Sequence, residues 1–260
     1  MSMLKTLLGG LALAMSMGAL AQSSDLNVDI RGAVLSPGSY NLPAGARLND
    51  AARVGRVSAR AWFHGAALLR QSAMEPQQRL KAGALFEINA NRVHALAENR
   101  TELLSLLDRL YEQTEAMPVT GRVIAEMDPL QQLILANNEL LEDGDRLLYP
   151  ARPVQVRVTG AVERECVLPY QPGAQPVAYL KACTRHDAAD PSVVYLIQPD
   201  GDWSVAGVAA WNSEPANIAL GAVIYVPLKT NWLSPIATGL NEDMAAFLAT
   251  QYYLGGRFAE

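Results

Sequence analysis

The chain has 260 residues, half of them hydrophobic, and its 26 Asp and Glu outnumber 21 Lys and Arg to give a net charge of −5. That length allows one large domain or two small ones with proper hydrophobic cores. The acidic balance, without a basic stripe, argues against a nucleic-acid partner, because phosphate backbones are bound by clustered Lys and Arg. For the same reason, contact with any acidic polymer would need a local basic pocket.

The N-terminus has the layout of a secretory signal peptide. Lys5 supplies the positive n-region, an apolar stretch follows over residues 7–20, and Ala19 and Ala21 form a small-residue cleavage site. The alternative is a retained membrane anchor, but the apolar stretch is shorter than the ~20 residues that a spanning helix needs. No cysteine lies near the cleavage site, so lipoprotein processing is excluded. We expect residues 1–21 to be removed and the mature chain to be periplasmic.

Two parts of the mature chain repeat one pattern. Gly32-Ala33-Val34 recurs as Gly160-Ala161-Val162, and in both copies a Gly-Ala pair follows after ten residues. Each copy is preceded by alternating apolar and polar residues, which is typical of a strand with one buried face. The sequence therefore predicts two related modules, over residues 22–150 and 151–228.

Within each module we expect a strand, a turn, a second strand and a short helix. In the first module Pro37-Gly38 marks the turn, and residues 48–52 form the helix. The corresponding helix of the second module covers residues 177–182. The modules also end alike, since Gly144 and Gly221 each precede an apolar strand and a closing proline.

The first module is longer because of an insertion at about residues 76–117 that is predicted to form a helical hairpin. Its second helix is the clearer one, with Asn99 as a capping residue and leucines at helical spacing. The first helix, over residues 76–90, contains Gly83, which weakens the pattern. Two roles remain open: the hairpin projects from the first module, or it caps the edge of a sheet.

Residues 229–260 are predicted to form a linker and a C-terminal helix that begins at Asn241 and ends at Gly255-Gly256. With about fourteen residues, this helix is too short to span a membrane. One of its faces is apolar and is a candidate partner-binding surface. The residues of this face are Met244, Phe247, Leu248 and Tyr252. The alternative, which is the commoner arrangement, is that the helix docks on its own domain.

The chain has two cysteines, Cys166 and Cys183. In an oxidising compartment, a pair so close in sequence favours a disulfide, which would contribute about 3 kcal/mol. The alternatives are two free buried thiols or a redox pair, and the spacing, which is not Cys-x-x-Cys, argues against redox chemistry.

The sequence also carries a family resemblance. Residues 28–52, with their Gly-Ala-Val, Pro-Gly-Ser-Tyr and Leu-Asn-Asp-Ala stretches, resemble a soluble ligand-binding β-grasp (SLBB) module, and residues 141–150 resemble its end. With the insertion, the C-terminal helix and the signal peptide, the two modules resemble the GfcC family of capsule-biosynthesis proteins. The second module departs at its hairpin turn, where Glu165-Cys166 replaces the Pro-Gly pair.

The resemblance implies an α+β fold with two β-grasp modules and a periplasmic role in the assembly or export of a capsule or exopolysaccharide. The partner would be the outer-membrane polysaccharide export machinery or the polysaccharide itself. The resemblance implies no catalytic activity, and neither a cofactor nor a metal is expected.

The sequence contains few signatures of an enzyme. The histidines, His64, His94 and His186, have no metal-ligand spacing, and the chain has neither a nucleophile elbow nor a phosphate-binding glycine loop. A pairing of Cys183 with His186 is conceivable for a nucleophile, but a disulfide partner beside an incidental histidine is the simpler interpretation. We therefore expect a non-catalytic protein.

Three residues are candidates for ligand binding: Arg122, Trp203 and Trp211. Arg122 follows Thr120-Gly121, a stretch that resembles one in GfcC-like proteins, where the chain returns from the hairpin and both modules could meet it. A guanidinium there could grip a uronate or a phosphate bidentately, or it could form an inter-domain ion pair. The two tryptophans could stack on sugar rings or belong to the core.

Three functions are compatible with the sequence. The favoured one is an accessory factor that binds glycan or an exporter. The second is a periplasmic polysaccharide-modifying enzyme, which would need an acidic or nucleophilic cluster in a cleft. The third is a purely structural scaffold that docks through the hairpin and the C-terminal helix.

Overall fold

The computed structural model describes residues 25–254 and 257–258, so that the predicted signal peptide and Gly255-Gly256 lie outside the described residues. The described chain is α+β, as predicted. It forms two five-stranded sheets, five α-helices and a two-stranded C-terminal ribbon.

The predicted elements occur in the predicted order, with further strands between them. The strands are β1 (Leu26–Gly32), β2 (Gly38–Leu42), β3 (Ala67–Leu69), β4 (Arg122–Val123), β5 (Arg146–Tyr149), β6 (Gln155–Gly160), β7 (Cys166–Pro169), β8 (Val193–Ile197), β9 (Trp203–Gly207), β10 (Val223–Val226), β11 (Tyr253–Leu254) and β12 (Arg257–Phe258). The α-helices are α1 (Leu48–Val54), α2 (Met74–Ala97), α3 (Thr101–Ala116), α4 (Pro176–Ala182) and α5 (Leu240–Ala249). Short 3-10 turns cover Phe63–Gly65, Gln71–Ala73, Gln131–Leu133, Leu135–Asn137 and Thr230–Trp232.

Both sheets have the same β-grasp arrangement. Their strand orders are β2-β1-β5-β3-β4 and β7-β6-β10-β8-β9. In each sheet the first two strands form an antiparallel hairpin, and the last strand of the module lies in the centre, parallel to the first. The short helices α1 and α4 follow the two hairpins. The repeat seen in the sequence is therefore also a repeat of topology.

The glycine that ends the first strand of each module is required by backbone packing. Gly32 has φ 94° and Gly160 has φ 93°, a region that side chains disfavour. A Cβ atom on Gly32 would lie 2.1 Å from the carbonyl oxygen of Tyr149, and one on Gly160 would lie 2.3 Å from that of Val226. The next residue in each module donates its N–H to the same carbonyl, at 2.6 and 2.8 Å. The repeated Gly-Ala-Val thus marks the crossing of the first and last strands.

Gly160→Ala should lower the free energy of unfolding by about 3 kcal/mol or more, because backbone strain adds to a clash that only main-chain movement relieves. Gly173→Ala is the matched control, since Gly173 has φ 73° but nothing within 4 Å of its Cβ position. The control should cost only about 1 kcal/mol. Urea unfolding of residues 22–260 measures both, and equal losses would contradict the crossing as the cause.

The insertion forms the predicted helical hairpin, α2 and α3, and Gly83 does not interrupt α2. The inner faces of both helices are buried in the core that contains the second sheet and α5. The hairpin residues of that core are Ala84, Ile88, Ala95, Leu103, Leu106, Leu107 and Leu110. The first sheet has a separate core. The hairpin therefore does not project freely from the first module, because it packs on the core of the second.

Asn99 does not cap α3, contrary to the prediction. It has φ 55° and lies just beyond the end of α2. Its N–H donates to the carbonyl of Leu96 at 3.1 Å, and that of Arg100 donates to Ala95 at 2.9 Å. These two bonds form a Schellman motif, in which asparagine tolerates the left-handed conformation better than most residues. Asn99 thus ends one helix instead of beginning the next.

The C-terminal helix is shorter than predicted, and Asn241 lies within its first turn while Gly239 is the N-cap. The buried amide of Asn241 accepts a hydrogen bond from the N–H of Leu228 at 2.9 Å and donates one to its carbonyl at 2.8 Å. This pair of bonds fixes α5 to the segment that leaves β10.

Asn241→Ala should lower the free energy of unfolding by about 2 kcal/mol, because both backbone groups of Leu228 would be left buried without partners. Asn89→Ala provides the control, since Asn89 is exposed on α2 and its hydrogen bond with Arg92 is at the surface. This control should change stability by less than about 0.5 kcal/mol. Denaturant titrations measure the stability of both variants. If Asn241→Ala lost no more stability than Asn89→Ala, the anchoring role of Asn241 would be contradicted.

Cys166 and Cys183 form a disulfide with 6.0 Å between their Cα atoms, which confirms the predicted pairing. The bond joins β7 to the residue that follows α4, so it ties the hairpin of the second module to its helix. None of the helices in the described residues combines the length and the apolar composition that crossing a membrane requires.

Candidate functional site

Arg122 lies at the junction of the two modules and the C-terminal segment. It begins β4, the edge strand of the first sheet, and is only 7% exposed. Its Nη1 donates to the carbonyl of Gln251 at 2.7 Å, just after α5. Its Nη2 donates to the carbonyl of Pro199, in the turn between β8 and β9, and lies 3.5 Å from that of Ala66. One guanidinium therefore connects three parts of the chain.

The backbone around Arg122 is held by neighbouring polar side chains. Gln77 of α2 donates to the carbonyl of Arg122 at 2.7 Å and accepts from the N–H of Gly121 at 2.8 Å. The hydroxyl of Thr120 donates to the carbonyl of Thr250 at 2.6 Å. The hairpin, β4 and the end of α5 are thus fixed relative to one another.

Burial lowers the pKa of Arg122 to about 10, while the nearby Asp200 carboxylate opposes this change. The side chain therefore remains a cation at neutral pH. Among the described residues, Nε has no hydrogen-bond partner. A Cβ atom on Gly201 would lie 3.7 Å from Cζ of Arg122, so this glycine leaves space beside the guanidinium.

These contacts alter the expectation for Arg122. A bidentate grip on a uronate or phosphate would use two guanidinium nitrogens. Here both terminal nitrogens donate to backbone carbonyls, and Nε, the third nitrogen, is buried away from solvent. Arg122 does link the two modules, but it donates to backbone carbonyls instead of forming an ion pair with a carboxylate.

Two adjoining clefts run along the junction and together form what we term the junction groove. The first, of about 290 Å³, is lined by Arg122, Ile124, Asp202 and Trp203, and by small residues of α5 and the 201 turn. The second, of about 400 Å³, shares Ile124 and Asp202 with the first. Its other polar residues are His64, Glu126, Asp128, Gln131 and Asp200.

The structure brings Trp203 and Arg122 together in this groove but leaves Trp211 outside it. Trp203 is 39% exposed, and its ring centroid lies 5.6 Å from that of the buried Tyr195, which supports it from behind. Trp211 is 79% exposed on the loop that follows β9. Neither tryptophan is buried in the core.

Sequence reasoning missed the acidic residues of the groove. Glu126 and Asp128 follow β4, whereas Asp200 and Asp202 lie in the β8–β9 turn of the other module. His64 pairs with Asp200 at 3.3 Å. In sequence, these residues are ordinary polar turns far from one another, so that only the docking of the modules brings them together. Within the described residues, no cluster of three or more His, Cys, Asp or Glu could hold a metal ion.

A third cleft, of about 210 Å³, lies beside Thr120 and Tyr252 and carries two arginines, Arg70 and Arg146. We term it the arginine cleft. Arg70 is neutralised by the buried Asp145, to which it donates two hydrogen bonds at 2.8 and 3.0 Å. The Arg146 side chain is 53% exposed. Burial raises the pKa of Tyr252, and the charge of Arg146 opposes that increase.

The candidate partner-binding residues are buried within the chain itself. Met244, Phe247, Leu248 and Tyr252 are each 9% exposed or less. Met244 and Leu248 belong to the core of the second module and the hairpin. Tyr252 instead packs with Leu69 and Leu148 of the first sheet. The C-terminal segment therefore docks on its own chain and contacts both modules.

The fold and the junction define a protein of two β-grasp modules that are locked together by a helical hairpin and a C-terminal segment. Residues 164–252 match the protein family described as Capsule biosynthesis GfcC C-terminal. That range includes the second module's side of the junction groove and Gln251.

The chain is also similar to the uncharacterized protein YjbG of Escherichia coli (strain K12). The two are 26% identical over 187 residues, which cover 72% of this chain and 75% of YjbG. These matches confirm the resemblance to GfcC-like capsule proteins. Together with the disulfide, they indicate an extracytoplasmic protein.

Arg122→Ala should lower the free energy of unfolding by about 3 kcal/mol, because the carbonyls of Pro199 and Gln251 would lose a charged donor in a buried site. Arg122→Lys should recover part of the loss, since an ammonium cannot span both carbonyls. The control is Arg79→Ala, which removes the exposed ion pair with Glu75 and should cost less than about 1 kcal/mol. Equal unfolding midpoints for the wild type and Arg122→Ala would show that the junction does not depend on this guanidinium.

Proposed function

We propose that this chain is a periplasmic, non-catalytic protein that acts in the assembly or export of a capsule or exopolysaccharide and binds glycan in the junction groove. The match to the capsule-biosynthesis family supports the biological process. The disulfide supports an oxidising compartment such as the periplasm. The predicted signal peptide is consistent with the same compartment.

The observation that carries the binding proposal is the position of Trp203. Its half-exposed indole lines an open groove together with carboxylates and the buried guanidinium of Arg122. Sugars are bound by stacking of their apolar ring faces on aromatic side chains and by hydrogen bonds between hydroxyls and fixed polar groups. Ligand sites also occur preferentially between domains, where this groove lies.

A polysaccharide-modifying enzyme is the second candidate, and one observation favours it. The groove contains the carboxylates of Glu126, Asp128, Asp200 and Asp202. Glycoside hydrolysis uses a pair of such groups on either side of the scissile bond. The same groove thus offers residues for binding and for cleavage, and an experiment must measure both.

The scaffold alternative is less well supported for α5, because its apolar residues would have to leave the core to contact a partner. The hairpin does present exposed apolar side chains on the outer face of α2. These are Phe86, Val93 and Leu96, each more than 60% exposed. Deletion of residues 240–254 would open the core, so it cannot separate partner binding from folding.

The direct test is calorimetric titration of residues 22–260 with oligosaccharides from the surface polysaccharide of the producing strain. We expect binding without change in oligosaccharide length over hours, as followed by chromatography. Trp203→Ala should weaken binding at least about tenfold, equivalent to ~1.4 kcal/mol of stacking. Trp211→Ala should leave the affinity unchanged, because Trp211 lies outside the groove.

Two outcomes would overturn parts of this proposal. If the protein shortened the oligosaccharides, and if Glu126→Gln or Asp200→Asn abolished this shortening, the protein would be an enzyme instead. Absence of binding would remove the glycan site. A strain lacking the gene should also lose surface polysaccharide and regain it with the intact gene. If the amount and chain length of the polysaccharide were unchanged, the role in capsule assembly would be contradicted.

A further inference from the structure

The junction groove has an unusual charge balance for a protein that handles bacterial surface polysaccharides. Four carboxylates line it: Glu126, Asp128, Asp200 and Asp202. Its basic residues are Arg122, which is 7% exposed, and His64, which lies 3.3 Å from Asp200. A carboxylated or phosphorylated sugar in this groove would meet like charges at close range, and such contacts disfavour binding.

The guanidinium of Arg122 also provides no site for an anion. Both terminal nitrogens donate to backbone carbonyls, so that a carboxylate cannot be held by the two parallel hydrogen bonds that favour it. The third nitrogen, Nε, is buried away from solvent, although Arg122 lines the cleft. An acidic sugar in the groove would therefore find no exposed guanidinium nitrogen to pair with.

The other groups of the groove complete the same pattern. The carboxylates accept hydrogen bonds and cannot donate them, which suits the hydroxyl groups of a neutral sugar. The indole of Trp203 provides the apolar face for stacking. Resting on the proposed glycan-binding function, we infer that the junction groove is selective for uncharged sugar residues and excludes uronates and phosphorylated sugars.

The arginine cleft provides an internal comparison, because it lies next to the same C-terminal segment but has the opposite charge. The side chain of Arg146 lies 3.8 Å from the Asp29 carboxylate but is half-exposed, and its exposed part would attract an anionic sugar. If acidic residues of a polysaccharide bind this chain, this cleft is where the charges favour them. Substitutions in the junction groove and in the arginine cleft therefore distinguish the binding of uncharged sugars from the binding of acidic ones.

The test uses one set of oligosaccharides in two forms. Oligosaccharides from the surface polysaccharide of the producing strain are used as isolated and after chemical reduction of their carboxyl groups, and both are titrated into residues 22–260. Carboxyl reduction should strengthen binding at least tenfold, and Trp203→Ala should weaken that binding at least tenfold. The affinity for the native acidic form should rise with added salt, because salt screens repulsion, and should rise in Asp202→Asn.

Three results distinguish the possible failures. Tighter binding of the native form that requires Trp203 and weakens with salt would overturn the selectivity while leaving the glycan site in place. Native binding lost in Arg146→Ala but retained in Trp203→Ala would place the acidic ligand in the arginine cleft and overturn the groove as its site. Binding of neither form would overturn the proposed function itself.

Discussion

The docking of the two modules depends on the hydrogen bonds of one buried guanidinium, that of Arg122. The guanidinium of Arg122 is held by main-chain carbonyls from the second module and the C-terminal segment, while its own backbone is fixed by Gln77 of the hairpin. A buried charge without partners would be too costly to retain, so these segments must dock together. The groove exists because this docking leaves a furrow along the line where the modules meet.

The helical hairpin stabilises the docked arrangement of the two modules. Its helices are inserted between β3 and β4 of the first sheet, yet their apolar faces complete the core of the second. Tyr252, at the other end of the chain, is buried against the first sheet. The insertion of the first module thus completes the core of the second, and the C-terminal segment that follows the second module packs on the first sheet. Together they couple two repeated units that could otherwise move independently.

Local patterns in the sequence predicted most of the fold. The paired Gly-Ala-Val stretches indicated the repeat of two modules, and the alternation before them located the first strands, because alternation follows directly from strand geometry. The leucines of α3 revealed an apolar face but not the surface that covers it. For Asn99 and Asn241 the sequence predicts the start of a helix, because the roles that the structure shows, a left-handed turn and a tertiary hydrogen bond, leave little local signal. The acidic side of the groove could not be predicted, since Glu126 and Asp200 are brought together only by tertiary structure.

The position of Gln251 has a consequence for the order in which the molecule is completed. A chain is synthesised from its N-terminus, so that Arg122 is made long before Gln251, which lies 129 residues later and provides one of its carbonyl acceptors. Before residues 240–252 are made, the hairpin leucines lack α5 as a cover and the guanidinium lacks this acceptor. The junction can therefore close only when these residues are present. A chain that lacks them would carry an incomplete groove, because Ala246, Ala249 and Thr250 line it.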